Sequence, residues 1–294
     1  MSFADIINEN RSDIENYLHI GYAKWEVMIN ELRNYENTND NKKMEDEQLW
    51  TFLLGCGYAA GKKEGINKLA RMLTNDNINT NEVNKIWFEV LPLPPRHKEG
   101  STHLDLAIGN ISLRNGTESG IQLRDDLENP WICFCEMKWN SDISTKVSHD
   151  LNRNQMIRVI ENALTFQNSK NELAKDIYFN LVTPALFKKE PKSRLYHYKF
   201  EDYNDNKDAI YEDIYNCKLD KYDQSTWQYP DVDDLQLQIN KLNLNWLTYE
   251  DLFEELPKSN ISNEILTFWQ QYSEEKTLRR YSNEFRGIYK ICLE

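Results

Sequence analysis

Three ionisable side chains lie inside apolar runs that read as β-strands. Asp105 interrupts T-H-L-D-L-A-I-G, and Glu136 and Lys138 close W-I-C-F-C-E-M-K-W. Side chains alternate faces along a strand, so Glu136 and Lys138, two apart, point the same way together with Ile132 and Phe134, while Cys133, Cys135 and Met137 point the other way. Asp105 is expected opposite Leu104, Leu106 and Ile108. Burying a carboxylate or an ammonium costs several kcal/mol unless each charge has a partner. A Glu–Lys pair at a strand end is the plain structural reading of E-x-K alone. Two neighbouring strands that each bury a carboxylate make an anionic pocket instead, and a divalent cation stabilises such a pocket.

These residues need a sheet to hold them. IWFEVLPLPP, from Ile86, reads as an edge or terminal strand ended by Pro92, Pro94 and Pro95. THLDLAIGNISLR is a second strand, the NGTESG segment a turn-rich loop, and WICFCEMKW a third strand. RNQMIRVIENALTF carries Met156, Ile160 and Leu164 at helical spacing, and IYFNLVTPALF follows as a fourth strand. Helices are expected over residues 3–36, over EQLWTFLLGCGYAAG closing near Gly61, and over INKLARMLTND. The end of the chain, with SNEILTFWQQY as its clearest piece, also reads helical.

An Asp on one strand, a variable hairpin, then an apolar strand ending in E-x-K, with a helix before and a helix and strand after, resembles the PD-(D/E)XK nucleases. This superfamily includes restriction, repair and recombination enzymes. The resemblance covers roughly residues 45–190. Leu104 stands where the family name has Pro, and Gln155 is followed by Met-Ile-Arg rather than by the spacing that ends in Tyr in one branch.

The resemblance implies an α/β (α+β) fold: a restriction-endonuclease-like mixed sheet flanked by helices over 45–200, with a helical N-terminal portion over 1–44 and an acidic, aromatic C-terminal extension over 201–294. It implies a Mg²⁺-dependent endonuclease, with Mn²⁺ able to substitute, that hydrolyses nucleic-acid phosphodiesters, DNA before RNA. Asp105, one oxygen of Glu136 and the Met137 carbonyl would hold the metal, while Lys138 would hydrogen-bond the attacking water or a phosphate oxygen. Gln155 is placed where some branches carry a Gln near the site. Family members often add an acidic residue from the helix before the first strand, and Glu47 and Glu64 are both candidates. Family habit also implies a homodimer, and a role in phage defence, restriction or repair.

Other side chains have competing identities. His103 is a structural histidine or a contact to metal or substrate; Trp139 is a core residue or a stacking surface. Arg153 and Arg158 on the following helix, and the basic run Lys188, Lys189, Lys192, Arg194 and Lys199, are candidates for phosphate contact or belong to solvated faces.

Composition sets outer limits. The chain of 294 residues is 40% hydrophobic and 12% aromatic, with 10 Gly and 8 Pro, which favours regular elements around a sizeable core over disorder. No apolar stretch approaches the roughly 20 residues of a spanning helix, and the acidic first residues contain no apolar leader core, so a cytoplasmic protein that does not engage membranes is expected. Five cysteines without a C-x-x-C pair read as reduced thiols.

The net charge of −13 disfavours a nucleic-acid partner taken as a whole. Its distribution changes that: 12 basic face 16 acidic residues over 1–100, 13 face 12 over 101–200, and 10 face 20 over 201–294. The acidic third suits a protein partner, so a catalytically silent or partner-regulated member of the fold is the competing reading. A carbohydrate hydrolase using two carboxylates is a third, which gives Lys138 no role and needs no metal.

Overall fold

The computed structural model describes residues 1–37, 44, 46–75, 78–100, 102–143, 153–189, 194–222 and 227–273. Its centre is a mixed six-stranded sheet in the order β1-β2-β3-β6-β7-β8. The strands are β1 (Leu18–Ile20), β2 (Ile86–Val90), β3 (Leu104–Gly109), β6 (Trp131–Met137), β7 (Asp176–Thr183) and β8 (Leu242–Thr248). β2–β3 and β3–β6 are antiparallel, whereas β1–β2, β6–β7 and β7–β8 are parallel. The parallel β6–β7 step agrees with the strand–helix–strand crossover expected from the sequence.

Helices cover both faces. On one, α1 (Phe3–Glu9), α2 (Arg11–Glu15), α3 (Trp25–Asn37), α4 (Glu47–Ala60), α5 (Lys62–Thr74), α11 (Tyr249–Glu254) and α12 (Asn260–Tyr272) bury a core against Phe88, Leu106, Ile108, Cys133, Cys135 and Met137. On the other, α6 (Gln155–Leu164), α8 (Leu195–Asp205), α9 (Lys207–Tyr215) and α10 (Val232–Lys241) pack on Ala107, Ile132, Phe134, Phe179 and Leu181. A short α7 (Ala185–Lys189) follows β7. A strand that feeds two cores is apolar on both faces, which is why W-I-C-F-C lacks the alternation of a half-exposed strand. Among the described residues no helix is long and apolar enough to cross a membrane.

Three expectations are corrected. Residues 3–36 are not continuous helix: Leu18–Ile20 leaves it to run parallel to β2. The second expected strand ends at Gly109, and β4 (Ile111–Leu113) pairs with β5 (Ile121–Leu123) in a separate two-stranded sheet. The acidic third supplies β8, whose L-N-L-N-W-L alternation is a period-2 signal, so it belongs to the central sheet rather than only to helices.

The alternation of β3 is also corrected, at the point that matters most. Phe88 and Leu106 are register partners and pack in the first core, whereas the next pair, Val90 and Leu104, packs in the second. The reversal falls on Glu89 and Asp105. Glu89 has φ 54°, a left-handed conformation that a non-glycine residue adopts at a cost of order 1–3 kcal/mol. Local irregularities of this kind re-aim side chains near functional sites. Leu104 therefore does not share a face with Leu106 and Ile108.

Candidate active site at the end of β6

The register brings the expected carboxylates together. Leu106 pairs with Cys135 and Ala107 with Phe134, so Asp105 arrives beside Glu136 where the ladder ends. The Met137 N–H donates to Asp105 Oδ2 at 2.8 Å, which anchors the aspartate to the β6 backbone. Glu136 is 1% exposed. Its Oε1 lies 2.7 Å from Lys138 Nζ, a close ion pair without good hydrogen-bond alignment.

Lys138 Nζ also donates to Glu47 Oε1 at 3.1 Å. Glu47 opens α4, whose N-cap Asp46 accepts the Leu49 N–H at 3.0 Å. From there Glu47 Oε2 takes the Trp139 N–H at 2.9 Å and Ser141 Oγ at 3.0 Å, which ties the helix start to the chain just after β6. An acidic side chain in the first turn of a helix is also favoured by the helix dipole. The structure thus distinguishes the two acidic candidates: Glu47 is in the cluster, whereas Glu64 lies on α5 beside Asn67, Lys68 and Arg71, in a separate surface depression.

Three carboxylates surround one ammonium. Burial, and then the neighbouring Glu136 charge, push the Asp105 carboxyl well above its ordinary value. Burial likewise raises Glu136, against the opposing pull of Lys138. Desolvation works to lower the Lys138 pKa, but Glu136, Asp105 and Glu47 together outweigh it and raise it, so the side chain stays an ammonium. The cluster is rich in carboxyl oxygen, with three carboxyl groups around one ammonium.

Among the described residues no three His, Cys, Asp or Glu side chains converge at metal-ligand spacing. A hard divalent ion does not require three: Mg²⁺ keeps several waters and is commonly held by one or two carboxylates. Asp105, Glu136 and the Met137 carbonyl are chemically suited to it, and the excess of carboxylate over ammonium fits a cation.

Other expected residues fall elsewhere. Gln155 is the first residue of α6, after the Asn154 cap whose Oδ1 accepts the Ile157 N–H at 2.9 Å, and it makes no hydrogen bond or ion pair to the cluster among the described residues. His103 is 44% exposed at its side chain; its Nδ1 faces Glu89 Oε2 at 3.3 Å, and no contact joins it to Asp105 among the described residues. Trp139 is a core residue, packed against Trp50, Tyr249 and Trp269.

Arg153 is corrected as a candidate for contact with nucleic acid. Its side chain is 1% exposed and spent on Glu99, at 3.0 Å from Nη2, and on Glu161, an arrangement that Arg96 joins through a 2.8 Å bond to Glu161. A guanidinium buried with two carboxylates holds α6 to the loop before β3 and is not available to a phosphate at the surface. Arg158, one turn on, is 14% exposed, pairs with Glu99 Oε1 at 3.4 Å, donates to Thr102 Oγ1 at 3.0 Å and electrostatically favours the ionised form of Glu136. It is the arginine of α6 that approaches the site.

In the basic run, Lys188 Nζ donates to the Trp246 carbonyl at 2.5 Å, Lys189 ends α7, and Arg194 donates to the Asn140 carbonyl at 3.0 Å and lies over the Phe187 ring. Lys192 lies outside the described residues. Sequence reasoning did not single out Glu89, a buried carboxylate bonded to Lys24 Nζ at 2.5 Å and to Gln48 Nε2 at 3.0 Å. A lone Glu in the apolar run IWFEV was its only signal.

No protein-family model, curated protein or solved structure matches this chain.

Proposed function

We propose that this chain is a metal-dependent nuclease of the PD-(D/E)XK type with a restriction-endonuclease-like fold, hydrolysing phosphodiester bonds of nucleic acid, DNA before RNA. The observation that carries the reading is the meeting of Asp105 and Glu136 at the end of the β3–β6 ladder, with Lys138 Nζ 2.7 Å from Glu136 and 3.1 Å from Glu47.

Asp105, Glu136 and the Met137 carbonyl would hold Mg²⁺ or Mn²⁺. Such an ion supplies Lewis-acid polarisation of the phosphate and activation of water. The chain's own groups set the rest. The N–H of Met137 fixes the Asp105 carboxylate, so one of its oxygens is already committed and the other is left for the ion. Lys138, kept protonated by three carboxylates, is a donor and a point charge rather than a base. It stabilises charge that develops on phosphate oxygens in the transition state, the kind of contact that accelerates the step rather than merely tightening binding. Glu47 positions that ammonium from the start of α4. Arg158 adds a second positive group on the α6 side of Glu136.

The test is cleavage of supercoiled plasmid, single-stranded DNA and RNA with Mg²⁺, Mn²⁺ or EDTA, comparing the wild type with Asp105→Ala and Lys138→Ala. Metal-dependent nicking that disappears in both variants is expected. Intact substrates under every condition, with normally folded variants, would refute the activity and favour a silent member of the fold. Cleavage that persists in EDTA would refute the metal.

A further inference from the structure

Beside the acidic cluster is a second feature that the proposed chemistry does not use. Between β1 and α3 the chain makes a tight turn, Gly21–Ala23, in which Tyr22 (φ 56°) and Ala23 (φ 50°) both adopt left-handed backbone. Neither residue is glycine, so each is strained, and the surroundings enforce the conformation. Gly21 is pressed against the kinked part of β2: a Cβ there would lie 2.0 Å from the Glu89 carbonyl oxygen. The Tyr22 N–H donates to Ser119 Oγ at 2.7 Å.

The result is a tyrosine held outward. Tyr22 is 47% exposed, and its ring stacks on the His103 imidazole with centroids 5.1 Å apart and planes inclined by 27°. His103 is held from behind by Glu89, itself fixed by Lys24 and by Gln48, the neighbour of Glu47. It also precedes Asp105 by two residues on the same chain, so the Cα atoms of the two lie within about 7 Å of each other. Strain and a buried carboxylate are thus spent on presenting an aromatic face to solvent, which packing alone does not require.

We propose that the Tyr22–His103 stack is a platform for one unpaired base of a single-stranded nucleic acid whose backbone passes the Asp105–Glu136 cluster. The inference rests on the nuclease reading and narrows it: a stacked base in a duplex has no free face to offer, whereas an unstacked base does. The sequence-tolerant nature of stacking implies little base preference.

The test uses metal-free protein in EDTA, so that binding is measured without cleavage. The probes are single-stranded DNA and RNA oligonucleotides of one sequence containing 2-aminopurine, and the corresponding duplex. Wild-type protein is expected to bind the single strands and quench the 2-aminopurine fluorescence. Tyr22→Ala should abolish the quench and weaken binding about tenfold, near the lower end of one base–aromatic stack. Tyr22→Trp should retain both, and His103→Ala should weaken them in part. The half-exposed ring makes an unchanged melting midpoint the expected control for Tyr22→Ala.

Equal binding and quenching by the wild type and Tyr22→Ala, or quenching of the duplex as strong as that of single strands, would overturn the platform. Loss of cleavage in Asp105→Ala alongside unaltered binding by Tyr22→Ala rejects the platform and leaves the nuclease. Tyr22-dependent quenching by a protein that cleaves nothing with Mg²⁺ or Mn²⁺ rejects the chemistry and leaves the platform. The DNA and RNA arms read which strand the site accepts.

Discussion

Replacing Lys138 by Met keeps most of the side-chain stem and deletes the one ammonium among Asp105, Glu136 and Glu47. Lys138 and Glu136 are both nearly inaccessible, so the loss leaves a buried carboxylate uncompensated. Breaking a buried pair in this way costs about 3–5 kcal/mol. Glu47 is partly exposed and can recover water, which places the expected loss near the lower end, about 3 kcal/mol.

The loss has a definite pH dependence. Asp105 and Glu136 already have raised pKa values in the folded protein, and removing Lys138 raises them further. A carboxyl whose folded pKa lies above its unfolded value contributes stability that is complete below the unfolded value, 3.8 for Asp and 4.5 for Glu, and is lost as pH rises through the folded value. Lys138→Met should therefore be costly at pH 8 and much milder near pH 4.5, where the carboxyls are neutralised by protons instead. Urea unfolding at the two pH values measures this. With a slope of about 3 kcal/mol per M, the midpoint should fall by about 1 M at pH 8. Mg²⁺ at pH 8 should restore part of the loss through linkage to the folded state. An equal loss at both pH values, or none at pH 8, would refute the account of Lys138 as the charge that compensates this cluster.

Two further outcomes follow from the same geometry. Asp105→Asn keeps an oxygen for the Met137 N–H but removes a like charge beside Glu136, so it should raise the stability of metal-free protein by roughly 1 kcal/mol at pH 8 and very little near pH 4, while cleavage is lost. Chemical denaturation and plasmid nicking on one preparation check both halves, and a destabilised variant at pH 8 counts against the buried repulsion. Arg153→Met should destabilise the fold by about 3 kcal/mol, the lower end for a broken buried pair, because Glu99 keeps Arg158 and Glu161 keeps Arg96 as a charged partner, whereas Arg158→Ala, which leaves Arg153 on Glu99, should cost less stability and also lower nucleic-acid affinity; urea midpoints and binding of the two variants measure this, and the reverse ranking of stability losses would sink the division of labour between the two arginines.

Much of the architecture near the site was legible in the sequence because it depends on local periodicity. The helices opened by Glu47 and Gln155, and the strands carrying Asp105, Glu136 and Asp176–Thr183, are long or strongly apolar and leave little choice of secondary structure. Shorter or conflicting signals were misread. Leu18–Ile20 is three residues set among helical spacing, and its strand state comes from the β2 backbone beside it. The Leu/Asn alternation of Leu242–Thr248 is present but lies between two acidic clusters, Asp231–Asp234 and Glu250–Glu255, in the third of the chain that carries most of the negative charge.

The residue types of the candidate site, and the shared direction of Glu136 and Lys138, follow from the sequence alone, since they require only strand geometry over three residues. Which partners they meet was decided by the tertiary structure. Glu47 and Glu64 are equivalent acids on paper, and only the docking of α4 against the end of β6 selects Glu47. Arg153 and Arg158 are likewise equal until α6 packs, burying the first between Glu99 and Glu161 and leaving the second between Glu99 and Glu136. The aim of Asp105 depends on a reversal of alternation shared with Glu89, and the outward stance of Tyr22 on a glycine that fits against that same residue. Contacts of this kind join residues tens of positions apart, and no local pattern encodes them because their energies depend on which surfaces the folded chain brings together.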